Sequence, residues 1–520
     1  MGFDIPVLEK LTDINLENIN FIDTLILSRL FNPVREAGHS LDVWGKKLQY
    51  PKLDFKEFEE YTSEMLTYCV NDVRLNGVVY DYLLKEGREF SKDSIDLEHS
   101  VFKITKQQEL NGFKFNHIEA SIFVASLREQ VTVLEDEVHS TFKPKLVDVK
   151  RVIPKLKKDG MLSKQGLTAS EYIKRKVAKD TRPFMRQELK DFNLSSRQQI
   201  GAYLKDFGWE PTKFTPTGQP IVDEGSLSKI DNIPEAKLIL EYLLLQKRIV
   251  QTESWISSLK EDGRVHGYVI PNGTITGRMT HRNPNMAQVP SVSSPYGKEC
   301  RSFWEVETGY KLVGVDASQL ELRLLAHYMN DEDYIYEITK GDIHTYNQKL
   351  AGLKSRDEAK VFIYALCYGA GNEKIGQIVG GNKTRGGQLR KRFFGSNPAF
   401  ASLTTKVQRA ARKKYFKGKD GRKLFVRSEH SALNTLIQGA GAIVMKKALI
   451  ILDDVLKLNT VDYKFVANIH DEWQIEVKES QADFVGEVAV KSIIQAGEEF
   501  NLRCPMDGEY KIGDNWSETH

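Results

Sequence analysis

The spacing of apolar positions changes along the chain, and the changes mark out its elements. VANIHDEWQIEV (466–477) reads as two strands that want burial, one with Val466, Ala467 and Ile469 and one with Gln474, Ile475 and Val477. LVGV (312–315) reads as a short buried strand ending at Asp316. The helix predicted after it places Leu322, Leu325, Ala326 and Met329 on one face, with Ser318 and Glu321 at the spacing of a capping box. SRDEAKVFIYALCYGAG (355–371) predicts another helix, ended by Gly369 and Gly371. Residues 95–140 and 233–260 also carry apolar positions at helical spacing. Residues 1–90 alternate short apolar runs, such as FIDTLIL (21–27), with helical segments, a pattern that suggests the later part of an α/β domain. The fold class expected from these patterns is α/β (α+β), with no internal repeat.

Length and composition narrow this picture. A chain of 520 residues exceeds what one hydrophobic core organises, so several subdomains are expected. Apolar residues at 41% place it among ordinary soluble proteins. The net charge of +3 says little alone, but its distribution says more. Residues 143–190 hold fifteen Lys/Arg against five Asp/Glu, punctuated by Pro and Gly. That segment reads as a solvated insertion or as a binding surface. Cys69, Cys300, Cys367 and Cys504 are scattered, which argues for reduced thiols and against a zinc or disulfide framework. No apolar run approaches the roughly 20 residues that span a bilayer, and the start lacks a signal-peptide pattern. A cytoplasmic protein without a membrane partner is expected.

The candidate chemistry begins with acids in the wrong place. Asp471 and Glu472 interrupt an apolar strand pair, and an unpaired buried carboxylate costs several kcal/mol. Asp316 ends another apolar strand, 155 positions earlier (471 − 316). A strand-end Asp is ordinarily a turn former. Two such acids brought together would need divalent cations, and carboxylates holding two Mg²⁺ about 4 Å apart are the standard clamp for nucleotidyl transfer. Arg356, Lys360, Tyr364 and Tyr368 recur every four residues, so they form one slowly drifting helical stripe about 18 Å long. Two cations followed by two rings match the charged and stacking faces of a nucleotide. The blander reading is an amphipathic helix with exposed charges and core tyrosines.

DASQLELR, the Arg356–Lys360–Tyr364–Tyr368–Gly369 series and IHDE together resemble motifs A, B and C of family A (Pol I-type) DNA polymerases. NGTITGRMTHRNPNMAQVPSVSSPYGKECR, GDIHTYNQ, GAGNEKIGQIVG, DGRKLFVRSEHSALNTLIQGAGA and the ending GDNWSETH are similar to the replicative polymerases of T-seven-like phages. The likeness covers nearly the whole chain. It implies a right-hand polymerase fold: a partial RNase H-like exonuclease domain (1–90), a thumb (91–263) with the basic insertion, palm (264–340), fingers (341–425) and palm again (426–520). It implies template-directed DNA synthesis with primer-template DNA and dNTPs. Asp316, Asp471 and the Ala317 carbonyl would hold two Mg²⁺, with Mn²⁺ as a substitute. Glu472 would stand just outside these ligands, or be a solvated turn residue. Arg356, Lys360 and His344 would meet the β- and γ-phosphates. Tyr364 would stack near the sugar 3′ position, Glu321 would crowd a 2′-hydroxyl, and Tyr368 would stack at the templating position. Arg278, Gln438 and His470 would touch the minor groove or primer terminus. At 143–190 these phage enzymes carry a segment that binds thioredoxin, although the charge there would suit DNA equally.

The same resemblance implies a proofreading site, of which Asp4, Tyr68 and Asp72 match parts. Its first-strand DxE finds no counterpart, because Asp96-Leu97-Glu98 comes too late in the chain. The expectation is no 3′–5′ exonuclease activity from this chain alone, with a truncation or a separate chain supplying the missing strands as the two explanations. Two other functions remain open at this stage, a single-subunit RNA polymerase and a non-catalytic DNA-binding replication subunit. Glu321 weighs against the first, and the complete acid and cation set against the second.

Overall fold

The computed structural model describes residues 2, 4–12 and 19–520. The chain divides into two compact units, residues 1–117 with 258–520, and residues 118–257. In the first unit the apolar strands form one antiparallel sheet of β1 (Tyr310–Ala317), β2 (Tyr463–Ile469), β3 (Glu472–Lys478) and β4 (Gly508–Gly513), ordered β2-β3-β1-β4. Glu472 pairs with both Asp316 and Ile469, so the β2–β3 turn stands beside the end of β1. Leu312 through Val315 are buried on both faces, which is why LVGV is continuously apolar rather than alternating.

Five helices bear on the site: α1 (Lys92–Asn111), α2 (Leu320–Met329), α3 (Arg356–Cys367), α4 (Ala432–Leu458) and α5 (Ala482–Glu499). α5 packs on β1 and β4, while α1 packs on β2 and α4, and α2 also rests on α4. Val313, Val315, Leu324, Ile443, Val444, Ile475 and Ile493 belong to the continuous apolar core between them. Each such side chain contributes about 1.5–3 kcal/mol on burial. α4 corrects one expectation: with the turn before it, it is long and apolar enough to cross a bilayer. However, 83% of its apolar window is buried inside the protein, as in a core helix. Its glycines permit the close packing, since a Cβ at Gly439 would lie 2.7 Å from Leu424 and one at Gly441 3.2 Å from Leu320.

The N-terminal residues differ from the expected α/β pattern. Among the described residues before Phe113 there is no strand. FIDTLIL is not a strand, because Asp23 caps a helix, Thr24–Phe31, by accepting from the amides of Leu25 (2.9 Å) and Ile26 (3.3 Å). Ile26, Leu27, Leu30 and Phe31 then lie on one helical face, and three of them pack with Trp44, Leu75, Val79 and Leu83.

The second unit is built on two long helices, His117–Thr141 (its first residue counted with the first unit) and Glu235–Ser257. α1, which precedes it in the chain, packs with the first unit. The basic insertion contains an antiparallel hairpin, Lys145–Val152 with Phe184–Lys190, beside a short helix, Ala169–Lys176. Beside it, Phe142, Phe192 and Tyr203 form a buried aromatic cluster, with the exposed ring of Phe207 against Phe142. Glu171 is held by Arg186 (2.7 Å) and Asp180 by Arg175 (2.8 Å) and Arg182 (3.0 Å), which leaves a large cationic excess on the surface.

Candidate active site

The sheet register brings Asp316 and Asp471 together. Asp316 is the penultimate residue of β1, and Asp471 is the second residue of the two-residue turn between β2 and β3. The Ala317 amide donates to the Asp471 carbonyl (3.1 Å), which ties the turn to the strand end. His470, first in the turn, has φ +60°, a conformation that costs a non-glycine residue about 1 kcal/mol or more. Burial, then the neighbouring Asp471 and Glu472, raises the Asp316 carboxyl to about 7. Burial raises Asp471 as well, partly opposed by Arg278. Two repelling carboxylates border one cavity of about 520 Å³. Hard, closely placed oxygen donors with raised proton affinity fit divalent magnesium or manganese.

Glu472 is neither solvated nor directed into that cavity, so the turn-residue reading is corrected. It is buried and accepts from the indole of Trp516 (2.5 Å) and the amide of Gln474 (2.7 Å), with His520 at 3.0 Å. Burial alone would raise its carboxyl, but His520, Arg301 and Trp516 together hold it below the usual range. It anchors the end of the sheet beneath the two acids.

The stripe on α3 faces the acids. Arg356, Lys360, Tyr364 and Tyr368 all border the same cavity, as do His344, Ala317, Glu321, Arg278 and His470. Gln438 borders an adjoining cavity instead, which shares Arg278 and His470 with the first. Burial pushes the Tyr364 phenol up to about 12, so it stays protonated as a donor. The capping-box reading of Glu321 is overturned. The cap of α2 is Gln319, at φ +53°, with no side-chain bond. Glu321 instead accepts from Arg278 Nη2 (2.7 Å) and the Tyr368 hydroxyl (2.8 Å). Asp4 and Asp72 border a separate cavity among the N-terminal helices, whereas Tyr68 packs against Phe55 and Phe58. Lys52 pairs with Asp72 at 2.9 Å.

Three contributing residues were not singled out from the sequence. Asp342 holds Arg356 Nε at 2.8 Å and caps the helix carrying His344. Arg356, then Thr345, keeps its carboxyl well below the usual range. Arg323 donates to the carbonyls of Ser318 (2.8 Å) and Pro505 (2.6 Å), pinning α2 to the segment before β4. Buried His281 bonds the Asn468 carbonyl (2.9 Å) behind the β2–β3 turn. An N-cap Asp one residue ahead of the helix was the available signal for Asp342; the other two depend on long-range pairing.

Two acids at the ends of central strands, facing a cationic and aromatic helix across one cavity, define a class, the nucleotide polymerases. Comparison with known proteins narrows it. Residues 164–518 match the family model described as DNA polymerase family A. The whole chain is 36% identical to a DNA-directed DNA polymerase of Enterobacteria phage T3, covering 91% of that protein. It is 35% identical to the DNA-directed DNA polymerase of Escherichia phage T7, again over the whole chain and 91% of the relative. The POL domain of Pol1 from M. smegmatis, solved with DNA primer-template and dNTP, has the same fold. It matches with a TM-score of 0.78 at 20% identity, over 95% of this chain and 82% of that one. The chain belongs to the family A DNA polymerases. It is a template-directed DNA polymerase of the right-hand fold, similar to phage DNA-directed DNA polymerases.

Proposed function

We propose that Asp316, Asp471 and the Ala317 carbonyl hold two magnesium ions, with manganese able to replace them, and that the α3 stripe seats the incoming dNTP. The observation that carries this reading is the shared cavity, which Asp316 and Asp471 line together with Arg356, Lys360 and Tyr364. When bound, the metal supplies charge neutralisation and a lowered pKa for the primer 3′-hydroxyl. Arg356 and Lys360 bind the β- and γ-phosphates and stabilise the charge that grows on the departing pyrophosphate, with His344 adding a hydrogen bond. Glu321, fixed by Arg278 and Tyr368, is placed to crowd a ribose 2′-hydroxyl. Tyr368 stacks at the templating position. Arg278, Gln438 and His470, gathered around the adjoining cavity, touch the primer terminus and the minor groove, whose shared acceptors allow a check without sequence preference. The basic hairpin of the second unit binds either the phosphates of primer-template DNA or a thioredoxin-like processivity factor.

The metal reading is tested by withdrawing divalent ions from the purified chain. Primer extension is expected to stop with a chelator and return on adding Mg²⁺. Extension that persists at full chelation would overturn it. A finer test concerns Tyr364, whose hydroxyl can bond where a missing 3′-hydroxyl leaves a gap. Wild type is expected to incorporate dideoxynucleotides nearly as readily as deoxynucleotides, and Tyr364→Phe to discriminate at least tenfold more strongly. Equal ratios for the two enzymes would remove the role.

A further inference from the structure

One buried cluster lies outside the cavity yet reaches toward it. Glu98, in the triplet Asp96-Leu97-Glu98, sits on α1 and is fully buried. Its Oε1 accepts from Arg422 Nη1 and from Lys446 Nζ, each at 2.5 Å. Arg422 also bonds Asp420 at 2.7 Å, and the Asp420 carbonyl accepts from Ser91, which precedes α1. Three segments far apart in the chain thus meet in a net-neutral set of four buried charges. The triplet's other acid, Asp96, is an exposed partner of Lys92.

Buried ion pairs are inefficient stabilisers, because desolvation offsets most of their attraction. Glu98 Oε2 even lacks a hydrogen-bond partner. The geometry of the network is directed at one loop. Gly277, at φ +77°, has no Cβ, and a Cβ there would lie 3.2 Å from Arg422 Nη1. Gly277 closes a turn in which its amide bonds Thr274 (3.0 Å) and Thr274 bonds the Arg278 carbonyl (3.2 Å). Lys446 forms one wall of a small crevice whose other walls include Gly277, Arg278 and His470. Arg278 then reaches Glu321 in the active site.

We propose that the Glu98–Arg422–Lys446–Asp420 network is a positioning element that seats the Gly277–Arg278 turn and so sets the aim of Arg278. The inference rests on the reading of Arg278 as an active-site side chain. Its test is a mutant cycle read by single-turnover primer extension and by thermal melting. Glu98→Gln keeps the shape and removes the charge that two buried cations share. It is expected to slow extension about tenfold in the wild-type background and less than twofold in an Arg278→Ala background, since coupled residues are not additive. The loss in melting temperature should be the same in both backgrounds. If Glu98→Gln does not fold, Glu98→Gln/Lys446→Met restores charge neutrality, and the same cycle is read with it. Equal slowing in both backgrounds would overturn the inference and leave the network a structural clamp. A silent Arg278→Ala would instead overturn the reading of Arg278 on which it rests.

Discussion

Asp471→Asn is expected to slow nucleotide addition by roughly 10³-fold, about 4 kcal/mol of transition-state stabilisation, while leaving the fold intact or firmer. The two effects have one cause. Without metal, burial raises the charging cost of both acids, and the charge of Asp471 adds to that of Asp316. Asparagine keeps the shape and hydrogen-bonding capacity of the turn but removes the repulsion. The β2–β3 turn itself depends on the backbone bond from Ala317 to the Asp471 carbonyl, which the substitution does not touch. Asp316→Asn should behave alike. Melting curves without divalent ions should therefore show an equal or higher midpoint for the variants, beside collapsed single-turnover extension. A variant that melts earlier and loses activity in proportion would mean that these acids serve the fold. Near-normal synthesis by either variant would remove the metal reading altogether.

That opposition of stability and activity explains why the two cavity acids, Asp316 and Asp471, stand out in the sequence. They break a pattern: an acid inside an apolar strand is a local contradiction, visible without knowing the partner. The α3 stripe was legible for a similar reason, since its four-residue spacing is a property of one helix. Other errors came from competing local signals. FIDTLIL read only as a short apolar run of an α/β pattern, but Asp23-Thr24 is also a helix start, and the capping bonds won. Ser318 and Glu321 had capping-box spacing, yet Glu321 was taken by Arg278 and Tyr368, which lie 43 and 47 positions away. Glu472 read either as standing just outside the metal ligands or as a solvated turn residue, and only the distant Trp516 and His520, which close over it, exclude the second. The Glu98–Arg422–Lys446 contacts span 324 and 348 positions, and no local pattern announces them. What the chain hides is which distant residue satisfies which polar group.

Lys360→Ala is expected to lower kcat/KM for dNTP addition by roughly 10²–10³-fold, a larger loss than any change at Arg356. The difference follows from how the two cations are held. Arg356 is paired with Asp342 at 2.8 Å, so part of its charge is already balanced before a nucleotide arrives. No ion pair holds Lys360 among the described residues, and its ammonium borders the cavity one helical turn closer to Tyr364. Its full charge is therefore available to the phosphates, and it is needed most when the pyrophosphate begins to leave. The loss should fall mainly on kcat, because an interaction that strengthens in the transition state does little for ground-state affinity. Lys360→Arg keeps the charge with a different reach and should recover part of the rate. Asp342→Asn should cost far less, since it loosens Arg356 without removing a cation. Rapid-quench incorporation on a preformed primer-template complex separates these cases, and binding of the DNA should be unchanged in all of them. A loss of less than threefold for Lys360→Ala would mean that the triphosphate is held elsewhere and that the stripe on α3 is only the exposed face of a helix.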